Sequence, residues 1–181
     1  NLQIISSLLF LQAVQVSDEK ARELFAESQN RILAMSLVHE ELYRSRDLAS
    51  VDMRGLITNL TQRLMDSAGR RVRMDLSLEV AALPVTKSLP CGLAVNELVT
   101  NAIKHGFHPE GEAELAIRFR AVPGGYELVV ADNGPGIPPE VDFAAPKSLG
   151  LTLVRSLADQ LQGTITYENR GGACFVLSFP A

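Results

Sequence analysis

Glu97, Asn101, Lys104 and His105 stand at i, i+4, i+7 and i+8 in the run NELVTNAIKHG, residues 96–106. At 3.6 residues per turn these four side chains share one face of a helix. A carboxylate, an amide oxygen and an ammonium group on one face suit a metal-bound polyphosphate. Asn101 can give Mg²⁺ a neutral oxygen, with water and phosphate filling the octahedron. Lys104 can neutralise phosphate charge, and Glu97 can polarise a metal-bound or attacking group. A solvated helix face would use the same residue types.

Two further stretches point to the same chemistry. DNGPGIP, residues 132–138, follows a run of apolar residues. Gly134 and Gly136 allow positive φ and the close approach of a ligand, and Asp132 is an acceptor that can take a base amino group. A tight loop with a capping Asp would look similar. SLGLTLV, residues 148–154, places Gly150 and Leu151 at a helix start, where unpaired N–H groups and the helix dipole favour phosphate. An ordinary helix start accounts for this stretch alone. The order and spacing of all three carry the reading.

These residues need elements to position them, and the composition divides near residue 48. Residues 1–48 contain no Gly or Pro, and all 13 Gly and 9 Pro follow. Gly and Pro punctuate turns, so the first part is expected to be long helix and the rest a domain with many connections. Leu2, Ile5, Leu8, Leu9 and Val16 follow helical spacing. Ser17 or Asp18 is the expected N-cap of a second helix. Its seam runs Ala21, Phe25, Ser28, Ile32, Met35, His39, Leu42, in alternating steps of three and four. Two such helices form a hairpin, and two hairpins from two chains form a four-helix bundle, so a homodimer is expected.

Beyond residue 48, helices are expected over Val51–Ser67, Leu89–His105 (Pro90 in its first turn) and Leu149–Leu161. Strands are expected over 72–78, 115–122, 126–131, 164–167 and 173–179. Asn133–Lys147 is rich in Pro and Gly and reads as a loop. The mixture implies an α/β sandwich with a mostly antiparallel sheet.

Composition limits the partners. Lys and Arg total 17 against 21 Asp and Glu, for a net charge of −4 and pI near 5.4. That leaves no broad basic surface for nucleic acid. No apolar run approaches the roughly 20 residues that cross a bilayer, and no membrane insertion of this segment is expected. Cys91 and Cys174 form neither a disulfide framework nor a zinc site. The chain reads as cytoplasmic.

The run 96–106 resembles the N box of histidine-kinase ATPase domains, 132–138 the G1 box and 149–154 the G2 box. NLQIISSLLFLQ and MSLVHEELYRS look like the dimerisation helices of the HWE/HisKA_2 group of sensor histidine kinases. The resemblance covers nearly the whole chain. It implies a helical hairpin over 1–48 and, over 49–181, an ATP-binding domain of the GHKL, or Bergerat, type. By that resemblance Asn101 ligates Mg²⁺, Glu97 is the base-side carboxylate, and Lys104 and His105 lie near the phosphates of ATP. Asp132 recognises the adenine amino group. Gly134, Gly136, Gly150 and Leu151 border the nucleotide, and Asn133–Lys147 is the ATP lid.

The implied activity is transfer of the γ-phosphate to a His on the hairpin and then to an Asp of a response regulator receiver domain. The pattern departs in three places. The family's acceptor His precedes NLQ, so the acceptor is expected outside this sequence, with His39 on the bundle seam as a substitute, an orienting group or a core His. Phe143 is the sole aromatic where an F box is expected. Cys174 is expected where many relatives turn a hydroxyl toward the base. Alternatives are an ATP-independent histidine phosphotransferase or adaptor of the same architecture, and a non-kinase ATPase of the same superfold.

Overall fold

The computed structural model describes residues 2–44, 49–69, 71–108, 111–141, 143, 146 and 148–181. The segment 45–48, where the first part was expected to end, lies outside the described residues, as do Asn1 and residues 142, 144, 145 and 147 of the expected lid.

Helices α1 (Leu2–Gln15) and α2 (Glu19–Arg44) are joined by three residues. Asp18 ends that link, and its Oδ1 accepts the N–H of Ala21 at 3.0 Å, which makes it the cap that the sequence suggested. On α1, Ile4, Leu8, Leu11 and Val14 stay exposed, so the hairpin leaves an apolar stripe uncovered. The buried face of α2 is Ala34, Leu37 and Val38, which join the core of the rest of the chain. In the single chain His39 is exposed; the expected bundle seam would form only against a second hairpin. Within the chain α2 packs against the helices that follow as well as against α1, which rotates its buried face away from residue 39.

Strand β1 (Ser50–Asp52) leads directly into α3 (Met53–Ser67). The Asp52 carboxylate caps that helix by accepting the N–H groups of Arg54 and Gly55, a contact type that contributes about 1 kcal/mol. After β2 (Val72–Leu78), the short β3 (Ala82–Pro84) pairs antiparallel with β1. Helix α4 (Val85–His105) starts four residues earlier than expected. Pro90 therefore sits in its second turn, where it removes the N–H that would bond to the Thr86 carbonyl. Residues 88 and 90–99 of α4 are buried, which is the pattern of a helix covered on all sides.

Strands β4 (Ala113–Val122) and β5 (Gly125–Asp132) form a hairpin, followed by α5 (Leu149–Gln160), β6 (Thr164–Asn169) and β7 (Ala173–Pro180). The sheet order is β2-β4-β5-β7-β6, with β2 and β4 parallel and every other pair antiparallel. The crossover that a parallel pair needs is supplied by α4. Helices α3, α4 and α5 contact the sheet at β2, at β5, and at β6 and β7. The face they cover carries Leu115, Ile117, Phe119, Leu128 and Leu177, all buried, each contributing about 2 kcal/mol relative to exposure. The result is the expected two-layer α/β sandwich. Among the described residues no helix is long and apolar enough to cross a membrane.

Candidate functional site

A cavity of about 920 Å³ opens where the end of α4, the loop after β5, the start of α5, the start of β7 and the first half of α2 meet. Glu97, Asn101, Lys104, His105, Asp132, Gly136, Gly150 and Leu151 all line it. Its volume falls in the usual range for small-molecule sites. A second hollow, about 590 Å³, lies between Arg73 and Arg170, where β2 and β4 begin and β5 ends. It touches only Asp132 of the expected site residues, so the larger cavity is where the expected chemistry converges.

The α4 wall divides into two kinds of side chain. Glu97 is buried, and both its oxygens are engaged by Arg31 of α2: Nε lies 2.9 Å from Oε1 and Nη2 lies 2.8 Å from Oε2. Asn96 Nδ2 adds a third donor at 3.0 Å to Oε1. This pairing, opposing the cost of burial, raises the pKa of the Arg31 guanidinium. Asn101, one turn further, is half-buried, and its amide makes no hydrogen bond to a described residue. Lys104 Nζ lies 2.6 Å from Glu27 Oε1 on α2. The Thr100 hydroxyl also faces this wall, buried and without a partner among the described residues.

Opposite stands Asp132, at the end of β5. Its Oδ1 accepts two backbone N–H groups, from Gly134 and from Ala173, each at 3.0 Å. Burial raises its pKa, although both hydrogen bonds pull the other way. The loop that follows is pinned at two more points. Asn133 bonds the N–H of Glu114 and the carbonyl of Glu112. Asn169 accepts the N–H of Ile137 and donates to its carbonyl. Gly136 has φ +77°, the left-handed region that its loop position requires.

Gly134 does not line the cavity. It lies beneath, where a Cβ would stand 2.1 Å from the Gly106 carbonyl oxygen. Its lack of a side chain lets the loop close onto the end of α4. Gly150 acts likewise at the start of α5: a Cβ there would be 3.2 Å from Glu97 Oε2 and 3.6 Å from Asn101 Oδ1. Ser148, the N-cap of α5, makes no side-chain capping bond.

On β7 the cavity is lined by Ala173 and Phe175, not by Cys174. Neighbouring strand residues point to opposite faces, so the expected placement of Cys174 toward the ligand is off by one position. Its thiol, half-buried on β7 beside Ala131 and Glu168, has its pKa raised chiefly by burial. Cys91 is fully buried in α4, and burial pushes its thiol up to about 12. Phe143 packs between Tyr167 and Phe175, with ring centroids 5.1 and 6.0 Å away.

The arrangement fits a metal-bound nucleotide. Among the described residues no cluster of three His, Cys, Asp or Glu side chains could chelate a metal alone. The Asn101 amide offers one neutral oxygen to a phosphate-bound divalent ion, and Mg²⁺ keeps few protein ligands, taking the rest from phosphate and water. Sequence reasoning missed the α2 wall, Leu24 and Glu27, and Arg31, which pairs with Glu97. The one local signal was the i,i+4 spacing of Glu27 and Arg31, which also describes an ordinary exposed helix face.

Residues 1–68 match a family model described as "Histidine kinase", and residues 86–181 match one for "Histidine kinase-, DNA gyrase B-, and HSP90-like ATPase". The chain is 32% identical over 169 residues to the sensor histidine kinase PdtaS of Mycobacterium tuberculosis, covering 91% of this chain and 34% of that protein. It is 31% identical over 206 residues to the sensor-type histidine kinase PrrB of Mycobacterium bovis, covering 99% of this chain and 43% of that protein. It thus spans about a third to two fifths of these relatives' length. The fold superposes on the histidine kinase domain of a blue-light-activated histidine kinase from Erythrobacter litoralis with a TM-score of 0.79 at 19% identity, covering 98% of this chain and 95% of that one.

Proposed function

We propose, on the premise that this chain belongs to the sensor histidine kinases, that its cavity binds ATP with Mg²⁺ and delivers the γ-phosphate to a histidine of the helical hairpin. The observation that carries this is the convergence of Asn101, Lys104, Asp132 and Gly150, from three separated stretches of chain, on one cavity. Asp132 accepts the adenine amino group. The phosphates run toward Asn101, Lys104, His105 and the uncapped start of α5. Asn101 would hold Mg²⁺ together with the phosphates, and the ion would supply charge neutralisation during transfer. Such a reaction asks the protein mainly for positioning and charge stabilisation, and this site offers both without a covalent nucleophile. The phosphoryl group then passes to an Asp of a response regulator receiver domain. Two chains pair through the apolar stripe of α1, and the kinase works in the cytoplasm.

Calorimetric titration with a non-hydrolysable ATP analogue and Mg²⁺ tests the reading, and its pH profile tests Asp132. The ionised carboxylate is the acceptor, and its pKa is raised by burial. Affinity is therefore expected to be flat at neutral pH and to fall on acidification, starting above the ordinary Asp value of about 3.9. The same shift favours the protonated form of the fold. Its contribution to stability is present below the unfolded pKa and lost as pH rises through the folded one. Asp132→Asn should bind weakly with no such pH dependence; an unchanged profile in that variant would remove Asp132 from base recognition.

A further inference from the structure

Helices α2 and α4 run antiparallel, and their contact changes character along its length. Near Gly92 it is apolar: a Cβ there would sit 3.4 Å from Val38 Cγ2. Toward the cavity it becomes a chain of four charges. Lys104 pairs with Glu27 at 2.6 Å, Glu27 Oε2 lies 3.5 Å from Arg31 Nη2, and Arg31 grips Glu97 with two nitrogens. The Arg31 and Glu97 side chains are 14% and 6% exposed, whereas Glu27 and Lys104 are 23% and 32% exposed. The Arg31–Glu97 end is therefore the firm one, and the Glu27–Lys104 end is open to solvent and to competition.

From this geometry, and resting on the nucleotide reading above, we infer that Glu27 is an internal competitor of the triphosphate for Lys104. Leu24 and Glu27 form part of the cavity wall, so a carboxylate already occupies the ammonium that incoming phosphate needs. Phosphate must displace Glu27 from Lys104, and a carboxylate left beside the phosphates repels them. Nucleotide binding and this docked position of α2 thus oppose each other. Coupling of this kind is reciprocal: whatever draws the first half of α2 away from α4 tightens nucleotide binding by the same factor that nucleotide loosens α2. Arg31 keeps Glu97 neutralised in the docked state. The hairpin can in this way set nucleotide affinity without any residue of α1 touching the ligand.

Glu27→Gln in the 181-residue chain removes the competing charge while keeping size and shape. Its affinity for a non-hydrolysable ATP analogue with Mg²⁺ should rise about fivefold over the parent chain, and the gain should shrink as salt is added. Adenosine, which lacks phosphate, should bind both proteins equally; a purely structural effect of the substitution would shift both ligands. In the parent chain, hydrogen exchange with the analogue bound should quicken over Glu19–Arg31 and stay unchanged over Leu37–Tyr43. Equal analogue affinity in both proteins, with no change in exchange over α2, overturns the inference and leaves the nucleotide site standing. Weaker binding by Glu27→Gln also overturns it, and would make Glu27 a support for Lys104. If neither protein binds the analogue, the nucleotide reading fails and the inference fails with it.

Discussion

Asn101→Ala is expected to lower affinity for the Mg²⁺-bound ATP analogue at least tenfold, about 1.4 kcal/mol, and to make the remaining binding insensitive to chelation of the metal. The Asn101 amide lines the cavity and makes no hydrogen bond to a described residue. Truncating it costs the fold nothing comparable, and stability should change by no more than about 0.5 kcal/mol. The parent chain should bind the analogue more tightly with Mg²⁺ than with EDTA, and the variant should show the same weak affinity in both. Asn101→Asp adds a negative charge facing the phosphates and should also weaken binding. Unchanged affinity in both variants would take the metal away from this position. Loss of binding together with a large fall in melting temperature would instead mark Asn101 as a structural residue.

Gly134→Ala should be the most damaging single methyl in the loop. The new Cβ would lie 2.1 Å from the Gly106 carbonyl oxygen and 2.3 Å from its carbon. Both atoms are backbone, so no side chain can swing away. The loop must lift off the end of α4, and the N–H of Gly134 then leaves Asp132. Overpacking of this kind costs about 1–3 kcal/mol, which for a chain of this size lowers the melting temperature by about 2–4 °C per kcal/mol. Nucleotide affinity should fall as well, because Asp132 loses one of the two N–H groups that orient it. Gly171→Ala is the control: φ is +71°, but nothing lies within 4 Å of the added carbon, so only backbone strain of about 1 kcal/mol is expected. A Gly134→Ala protein as stable as Gly171→Ala, with undiminished affinity, would contradict the close packing of loop on helix.

The stretches that build most of the cavity were legible because each is local. Periodicity put Glu97, Asn101 and Lys104 on one face, and Gly spacing marked the loops. What stayed hidden depends on distant pairing. Strands β1 and β3 have three residues each, too few for alternation to register; their central residues Val51 and Leu83 stand opposite each other and are both buried. Cys174 and Ala173 differ by one position, and on a strand one position decides the face. The alternation of Phe175, Leu177 and Phe179 with Cys174, Val176 and Ser178 marks that face locally, and the pairing of β7 with β5 fixes the register. Glu27 and Arg31 look like an exposed i,i+4 pair until α4 is laid against them. The start of α4 was misplaced because Pro90 resembles a first-turn residue, while Pro84, the N-cap, makes no side-chain capping bond to mark the true beginning.

The contrast between the two thiols gives the protein a native labelling handle. Cys91 is sealed in α4 and burial pushes its thiol well up, so a maleimide dye added to folded protein should couple at Cys174 alone, faster as alkalinity increases the thiolate fraction. Denaturant should release the second coupling site. A fluorophore on Cys174 would sit one residue from Ala173, whose N–H holds Asp132. It would report on events at the base-binding end of the cavity in a protein with no engineered cysteine.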